Sequence, residues 1–191
     1  MTAAVLLAVV VLGSCAREKG QSGEPSAATG AAVLPVPTDS PAASTPLESA
    51  RARAAGLEAR AASFRADSGT WSAGDASSTY AVLLDGKRPV MLEEKLSLGE
   101  RGASFSRFFY DNGRVFLYQE RGIRMSTNRD RGYPMTVERR LEVEIAFDSS
   151  GKVVGSGYAE DRTPMPLPDA KATEVTRRAA LLAEKVTAGR S

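Results

Sequence analysis

Residues 137–153, Val-Glu-Arg-Arg-Leu-Glu-Val-Glu-Ile-Ala-Phe-Asp-Ser-Ser-Gly-Lys-Val, contain the pattern that decides the fold. Apolar and charged residues alternate up to Phe147, which is typical of a strand with one buried face and one wet face. The next residues, Asp148 to Lys152, are typical of a turn, and a segment that begins with Val follows. This order predicts an antiparallel hairpin.

The same order of apolar run, turn and Val-led segment occurs twice earlier in the chain. Turns are predicted at Asp85-Gly86-Lys87 and at Asp111-Asn112-Gly113-Arg114. Residues 90–98 also alternate between apolar and polar side chains. We therefore expect an antiparallel meander of about six strands between residues 78 and 160.

Two amphipathic segments flank the predicted meander. Thr45 and Glu48 have the spacing of a capping box, and apolar residues then recur at helical intervals. We expect helices over residues 46–66 and 169–186. The expected fold class is α+β, with a single domain over residues 46–188 in which the meander packs against the N- and C-terminal helices.

Composition narrows the chemistry that this chain can perform. Twenty-five basic and 23 acidic residues give a formal net charge of +2, and this near-balance argues against nucleic acid as a partner. The chain has no His, which is the usual general base near neutral pH and the commonest metal ligand. Catalysis would depend on carboxylates, Lys and Tyr, and we expect neither a cofactor nor a metal ion.

Arginine is concentrated between residues 121 and 140, where six Arg accompany two acidic residues. Guanidinium groups bind phosphate and carboxylate through paired hydrogen bonds. This stretch is therefore the candidate binding surface, and its candidate residues are Arg121, Arg124, Arg129 and Arg131. The alternative is a solvated hairpin loop without a ligand.

Carboxylates are concentrated on the wet face of one predicted strand. Three share that face and a fourth lies on another strand: Glu138, Glu142, Glu144 and Glu93. Glycoside hydrolysis requires two carboxyl groups on either side of a substrate. We favour the alternative, a ladder of exposed charges that pair with Arg140 and Lys95 across strands. No catalytic residue is assigned.

The N-terminal residues carry a pattern of another kind. Ten consecutive apolar residues, Ala3 to Leu12, have the length of a signal-peptide core, whereas a membrane-spanning helix needs about 20. Leu12-Gly13-Ser14-Cys15 follows, and Cys15 is the only cysteine of the chain. This segment resembles the lipobox of bacterial lipoproteins. The resemblance implies cleavage between Ser14 and Cys15 and acylation of the Cys15 thiol.

The resemblance also implies where the protein lies. Residues 1–14 would be the signal peptide, and residues 15–45, rich in Ala, Ser, Thr, Gly and Pro, would be a disordered tether. Two or more acyl chains hold a protein firmly on a bilayer, so membrane lipid is the first expected partner. Ala16 stands where lipoproteins of the inner membrane usually have Asp, which implies the outer membrane, facing the periplasm. The alternatives are an ordinary secretion signal and a buried apolar N-terminus with a free Cys15.

These patterns do not specify a reaction. We expect a non-enzymatic, membrane-anchored binding or accessory module of the cell envelope, whose partner is an envelope protein, peptidoglycan or lipopolysaccharide. An inhibitor of a hydrolase such as lysozyme is the first alternative, and a carboxylate-based hydrolase is the second. The sequence leaves the oligomeric state open.

Replacing Cys15 with Ala removes the sulfur that would carry the diacylglyceryl group. We expect the variant to be released from membranes, or to remain an uncleaved precursor, because no acyl chain can then anchor it. Membrane fractionation and labelling with radioactive palmitate measure both effects. Palmitate on the Cys15→Ala protein would refute the anchor.

Overall fold

A computed structural model describes residues 44–128 and 135–188. Within them, eight antiparallel strands form one sheet in chain order, with one α-helix before the sheet and one α-helix after it. The helices are α1 (Pro46–Ala59) and α2 (Asp169–Ala188), and the strands are β1 (Arg65–Ala73), β2 (Ala76–Asp85), β3 (Arg88–Ser97), β4 (Gly102–Asp111), β5 (Arg114–Asn128), β6 (Met135–Phe147), β7 (Val153–Glu160) and β8 (Thr163–Pro164). In this part of the chain, no helix combines the length and the apolar character needed to cross a membrane.

The expected α+β class is confirmed, since an antiparallel meander lies between an N-terminal and a C-terminal helix. The expected number of strands is wrong, because the sheet has eight strands rather than about six. The edge strand β1 is largely exposed along its length, so its sequence needs no apolar alternation. β8 has only two residues and is too short for any periodicity.

α1 is shorter than the helix that the sequence predicts over residues 46–66. Its start is as expected, since Thr45 Oγ1 accepts a hydrogen bond from the Glu48 N–H at 3.2 Å and Glu48 accepts one from the Thr45 N–H at 2.8 Å. The helix ends at Ala59, and from Arg65 the chain pairs with β2. Ladder hydrogen bonds to β2 satisfy this backbone, so tertiary pairing overrides the local helical pattern.

The three turns lie where the sequence predicts them. They join β2 to β3, β4 to β5 and β6 to β7. In the second turn, Asn112 and Gly113 both have positive φ, 48° and 80°, which matches the twist of a two-residue hairpin. The choice of Asn and Gly therefore fixes the register of β4 against β5.

The sheet has two apolar faces, because successive residues of a strand point to opposite sides. The larger core lies under α2 and includes Leu84, Leu92, Phe108, Tyr110, Ile145 and Leu182. The smaller core lies under α1 and consists of Ala54, Phe109, Phe116 and Leu117. A β-bulge in β5 makes Phe116 an extra residue between the pairs that Phe109 and Tyr110 form with this strand.

Two buried ion pairs, Glu94–Arg178 and Glu120–Lys171, attach α2 to the sheet, and we call them the α2 clamp. Glu94 on β3 is 2% exposed and accepts hydrogen bonds from Trp71, Ser78 and Arg178. Arg178 Nε lies 2.9 Å from Glu94 Oε2, and the guanidinium carbon lies 4.2 Å from the centre of the Trp71 ring. Both oxygens of Glu94 are therefore hydrogen-bonded, which compensates the burial of its charge.

In the second pair of the α2 clamp both partners are buried, whereas Arg178 of the first pair is partly exposed. Lys171 Nζ lies 2.7 Å from Glu120 Oε2. Tyr118 donates a hydrogen bond to the same carboxylate at 2.8 Å. Burial and the nearby charge of Glu120 raise the pKa of Tyr118, so its hydroxyl stays protonated as a donor. One stripe of α2 thus carries both cations between its apolar residues, in the order Lys171, Val175, Arg178, Leu182.

Replacing Arg178 with Met leaves Glu94 buried without its cation. We expect the free energy of unfolding to fall by about 3 kcal/mol, because an uncompensated buried charge is costly. Urea unfolding followed by circular dichroism measures the change. Arg177→Met, at the exposed neighbouring position, is the matched control and should alter stability by no more than about 0.5 kcal/mol. Equal stability of the two variants would contradict the role of the α2 clamp.

Candidate binding groove

α1 covers only one end of its face of the sheet. It begins against β7, where Leu47 packs on Gly155, and it reaches β4, where Glu58 pairs with Arg107. Its 14 residues extend about 21 Å, while the four strands beneath it are about 14 Å across. α1 can therefore cross these strands only once. The uncovered part, which we call the open face, consists of Phe105, Arg121, Ile123, Arg140 and Glu142.

A groove of about 700 Å³ runs between α1 and the open face. Gly157 and Ala159 of β7 form part of its floor, and a Cβ atom added at Gly157 would meet no other atom within 4 Å. Pro164 and Met165 line it beyond β7. The other side chains that line it come from α1, β4, β5 and β6 and are mostly charged: Arg51, Phe105, Arg107, Gln119, Arg121, Glu142 and Glu144.

On the α1 side of the groove, the charged groups are already paired. Glu144 accepts hydrogen bonds from Arg51 Nε and from Gln119 Nε2, both at 2.9 Å. Burial raises the pKa of Glu144, but these hydrogen bonds and the charge of Arg51 outweigh it, and the pKa is lowered. Arg107 donates a hydrogen bond from Nη2 to Glu58, and its Nε lies 3.3 Å from Glu93 in an ion pair without a hydrogen bond. These groups fix the wall of the groove.

Arg121 and Glu142 differ from this paired wall. They lie directly opposite each other on β5 and β6, and within the described residues neither side chain has a hydrogen bond or an ion pair. Phe105 lies opposite Arg121 on β4, and Ala159 lies opposite Glu142 on β7. The strand register therefore places an aromatic ring, a guanidinium, a carboxylate and a methyl group in one row across the groove.

The structure describes two of the four predicted arginines, Arg121 and Arg124, and it does not bring these two together. Arg121 and Arg124 are three residues apart on β5, so their side chains lie on opposite faces of the sheet. Arg124 lies on the α2 side, where it is opposite Arg139 and acts electrostatically on Tyr158. Arg129 and Arg131 lie outside the described residues, as do Ser14 and Cys15. Of the two described candidates, Arg121 belongs to the groove and Arg124 does not.

The hairpin of β5 and β6 projects beyond the rest of the sheet. β4 ends its pairing with β5 at Arg124, and β7 ends its pairing with β6 at Leu141. Residues 125–128 and 135–138 pair only with each other, and we call them the arm. The arm exposes two large apolar side chains, Met125 at 41% and Met135 at 59%. Met135 is paired with Asn128, three residues from Met125 on β5, so the two side chains lie on opposite faces of the arm.

The predicted carboxylates are distributed over the groove and the arm. Glu142 and Glu144 line the groove, Glu138 lies on the arm 3.9 Å from Arg140, and Glu93 contacts Arg107. The expected pairing with Lys95 does not occur, because Arg107 lies opposite Glu93 on β4 and takes its place. Glu144 pairs with Arg51 of α1, and the alternation within the strands gives no indication of this partner.

Neither metal chemistry nor a known relative indicates the function. In the described part of the chain, no three His, Cys, Asp or Glu side chains are grouped so that they could hold a metal ion. Comparison of the chain with protein-family models, with curated proteins and with solved structures finds no match. The function is therefore inferred from the groove and the arm.

Glu144→Gln removes the charge that Arg51 and Gln119 hold. At pH 7 we expect the variant to be less stable than the wild type by about 1 kcal/mol, since the Arg51 side chain is half exposed and solvent screens the pair. The pKa of Glu144 is lowered in the fold from its ordinary 4.5. The stabilisation is therefore complete above that value and disappears as the pH falls through the lower folded pKa.

Urea unfolding of the wild type and the Glu144→Gln protein at pH 7 and at about pH 3 measures this difference. We expect the stability gap between the two proteins to narrow at the lower pH. A gap of the same size at both pH values would mean that the charge of Glu144 does not hold α1.

Proposed function

We propose that this protein is a non-enzymatic binding module of the bacterial cell envelope, anchored by acyl chains on Cys15 and facing the periplasm from the outer membrane. Residues 15–45 act as its tether. The observation that carries the binding role is the incomplete cover of the sheet by α1. A face with apolar and charged side chains remains accessible beside a projecting arm.

The lowered pKa of Glu144 favours a binding function over hydrolysis. A glycosidase needs one carboxyl group that stays protonated near neutral pH, which requires a raised pKa. The pKa of Glu144 is lowered instead, and its carboxylate is engaged by Arg51 and Gln119. Glu144 therefore serves as an anchor for α1 and Gln119, not as an acid that gives a proton to a leaving group.

The arm supports a second candidate function, the inhibition of a hydrolase such as lysozyme. An element of two strands that extends beyond the sheet has the shape to enter an enzyme cleft, and Met125 and Met135 expose apolar surface there. A turbidity assay with lysozyme distinguishes this candidate. Inhibition that is lost when Met125 is replaced by Glu would support it.

A photo-reactive amino acid at Met125 tests the envelope-binding role in intact cells. We expect it to form adducts with an envelope component, because this position lies on the exposed arm. Arg65 on the edge strand β1, remote from the groove and the arm, is the matched control position. Gel electrophoresis and mass spectrometry identify the adducts. The same adducts from both positions, or none from Met125, would contradict the proposed contact surface.

A further inference from the structure

We propose that the groove between α1 and the open face binds a short peptide that carries both a free carboxylate and a free ammonium group. The inference rests on the proposed binding function and names the chemistry of the ligand. The ligand carboxylate lies at Arg121, and its ammonium group lies at Glu142. The flanking apolar surface of the ligand lies against Phe105 on one side and Gly157 and Ala159 on the other.

The groove contains both carboxylates and guanidinium groups, which disfavours ligands whose charges all have one sign. A phosphate polymer would meet the carboxylates of Glu142 and Glu144, and a polycation would meet Arg51, Arg107 and Arg121. Like charges within one groove repel each other. The repulsion on one side would therefore offset the attraction that either polymer gains on the other side. A ligand with both charges can place each of them next to the side chain of opposite sign if its groups are arranged in the order of the row.

Arg121 and Glu142 are the groups available for this purpose. The other charged groups of the groove already have partners, as Arg51, Arg107 and Glu144 show. Residues directly opposite each other on neighbouring strands are about 5 Å apart at their Cβ atoms. This separation is comparable to that between an ammonium and a carboxylate on adjoining parts of a short peptide.

The shape of the groove agrees with a small ligand. Its volume of about 700 Å³ lies within the range of small-molecule sites, about 300–1,000 Å³. The space exists because β7 places Gly157 on the floor, where a side chain would otherwise project into it. Gly155, two residues away, has the separate task of admitting Leu47 of α1.

Two sources supply this ligand chemistry, the peptide stems of peptidoglycan and free linear peptides. Isothermal titration calorimetry of the full chain with soluble peptidoglycan fragments, and with the L-peptide Ala-Glu-Lys, distinguishes them. Binding of either ligand supports the inference and identifies the source. Fragments whose amino groups have been acetylated should bind about tenfold more weakly or not at all, because the bond to Glu142 is lost.

Gly157→Phe is the sharpest variant, because it places a ring on the floor of the groove at a position where an added Cβ atom meets no other atom within 4 Å. We expect it to abolish binding without lowering the melting temperature. Arg121→Glu and Glu142→Arg should each weaken binding about tenfold or more. Arg65→Glu, on the far edge strand, is the matched control and should bind like the wild type.

The failure of this inference is distinguishable from the failure of the proposed function. If neither fragments nor L-peptide bind, or if Gly157→Phe binds as well as the wild type, the groove is not a peptide site. Photo-adducts from Met125 would then still support an envelope-binding module. Glycan strands without peptide stems that bind as tightly as intact fragments would also overturn the inference.

Discussion

Two carboxylates that point into the core, Glu94 and Glu120, each require a cation from α2, because an unpaired buried charge costs several kcal/mol. Arg178 and Lys171 supply these cations from one stripe of the helix. A shift of α2 along its axis would separate both pairs at once, so the apolar contacts of this helix are restricted to one register. The α2 clamp thereby fixes which face of the sheet α2 covers and leaves the opposite face to α1.

α1 covers only part of its face of the sheet, and the groove exists because the rest of that face stays accessible. A helix of 14 residues crosses β7 to β4 once and stops. β7 adapts to it with two glycines that serve different purposes, since Gly155 lets α1 approach closely and Gly157 leaves the floor beyond it empty. The groove is thus the product of a short helix and of a glycine on the floor, Gly157 of β7, rather than of a loop.

The distribution of charge around this groove determines which side chains are available to bind a ligand. Arg51, Arg107 and Glu144 are committed to holding α1 on the sheet, whereas Arg121 and Glu142 remain available. In the sequence, the concentration of arginine between residues 121 and 140 suggests a single cationic surface, but the fold does not preserve it. The pleat of β5 divides it, with Arg121 on the α1 side and Arg124 on the α2 side.

The sequence by itself determined the α+β class, the meander, the positions of its three turns and the start of α1. These features depend on local signals: alternation along a strand, Asn-Gly and Asp-Gly turns, and a capping box at Thr45. The tertiary structure alone decided the eight strands, the end of α1 at Ala59 and the pairing of the charges, because edge strands and ion pairs between distant elements leave no periodic pattern. Arg121 and Glu142 could be selected individually from the sequence, but their position in one row required the register of β5 on β6, which hydrogen bonds between strands set.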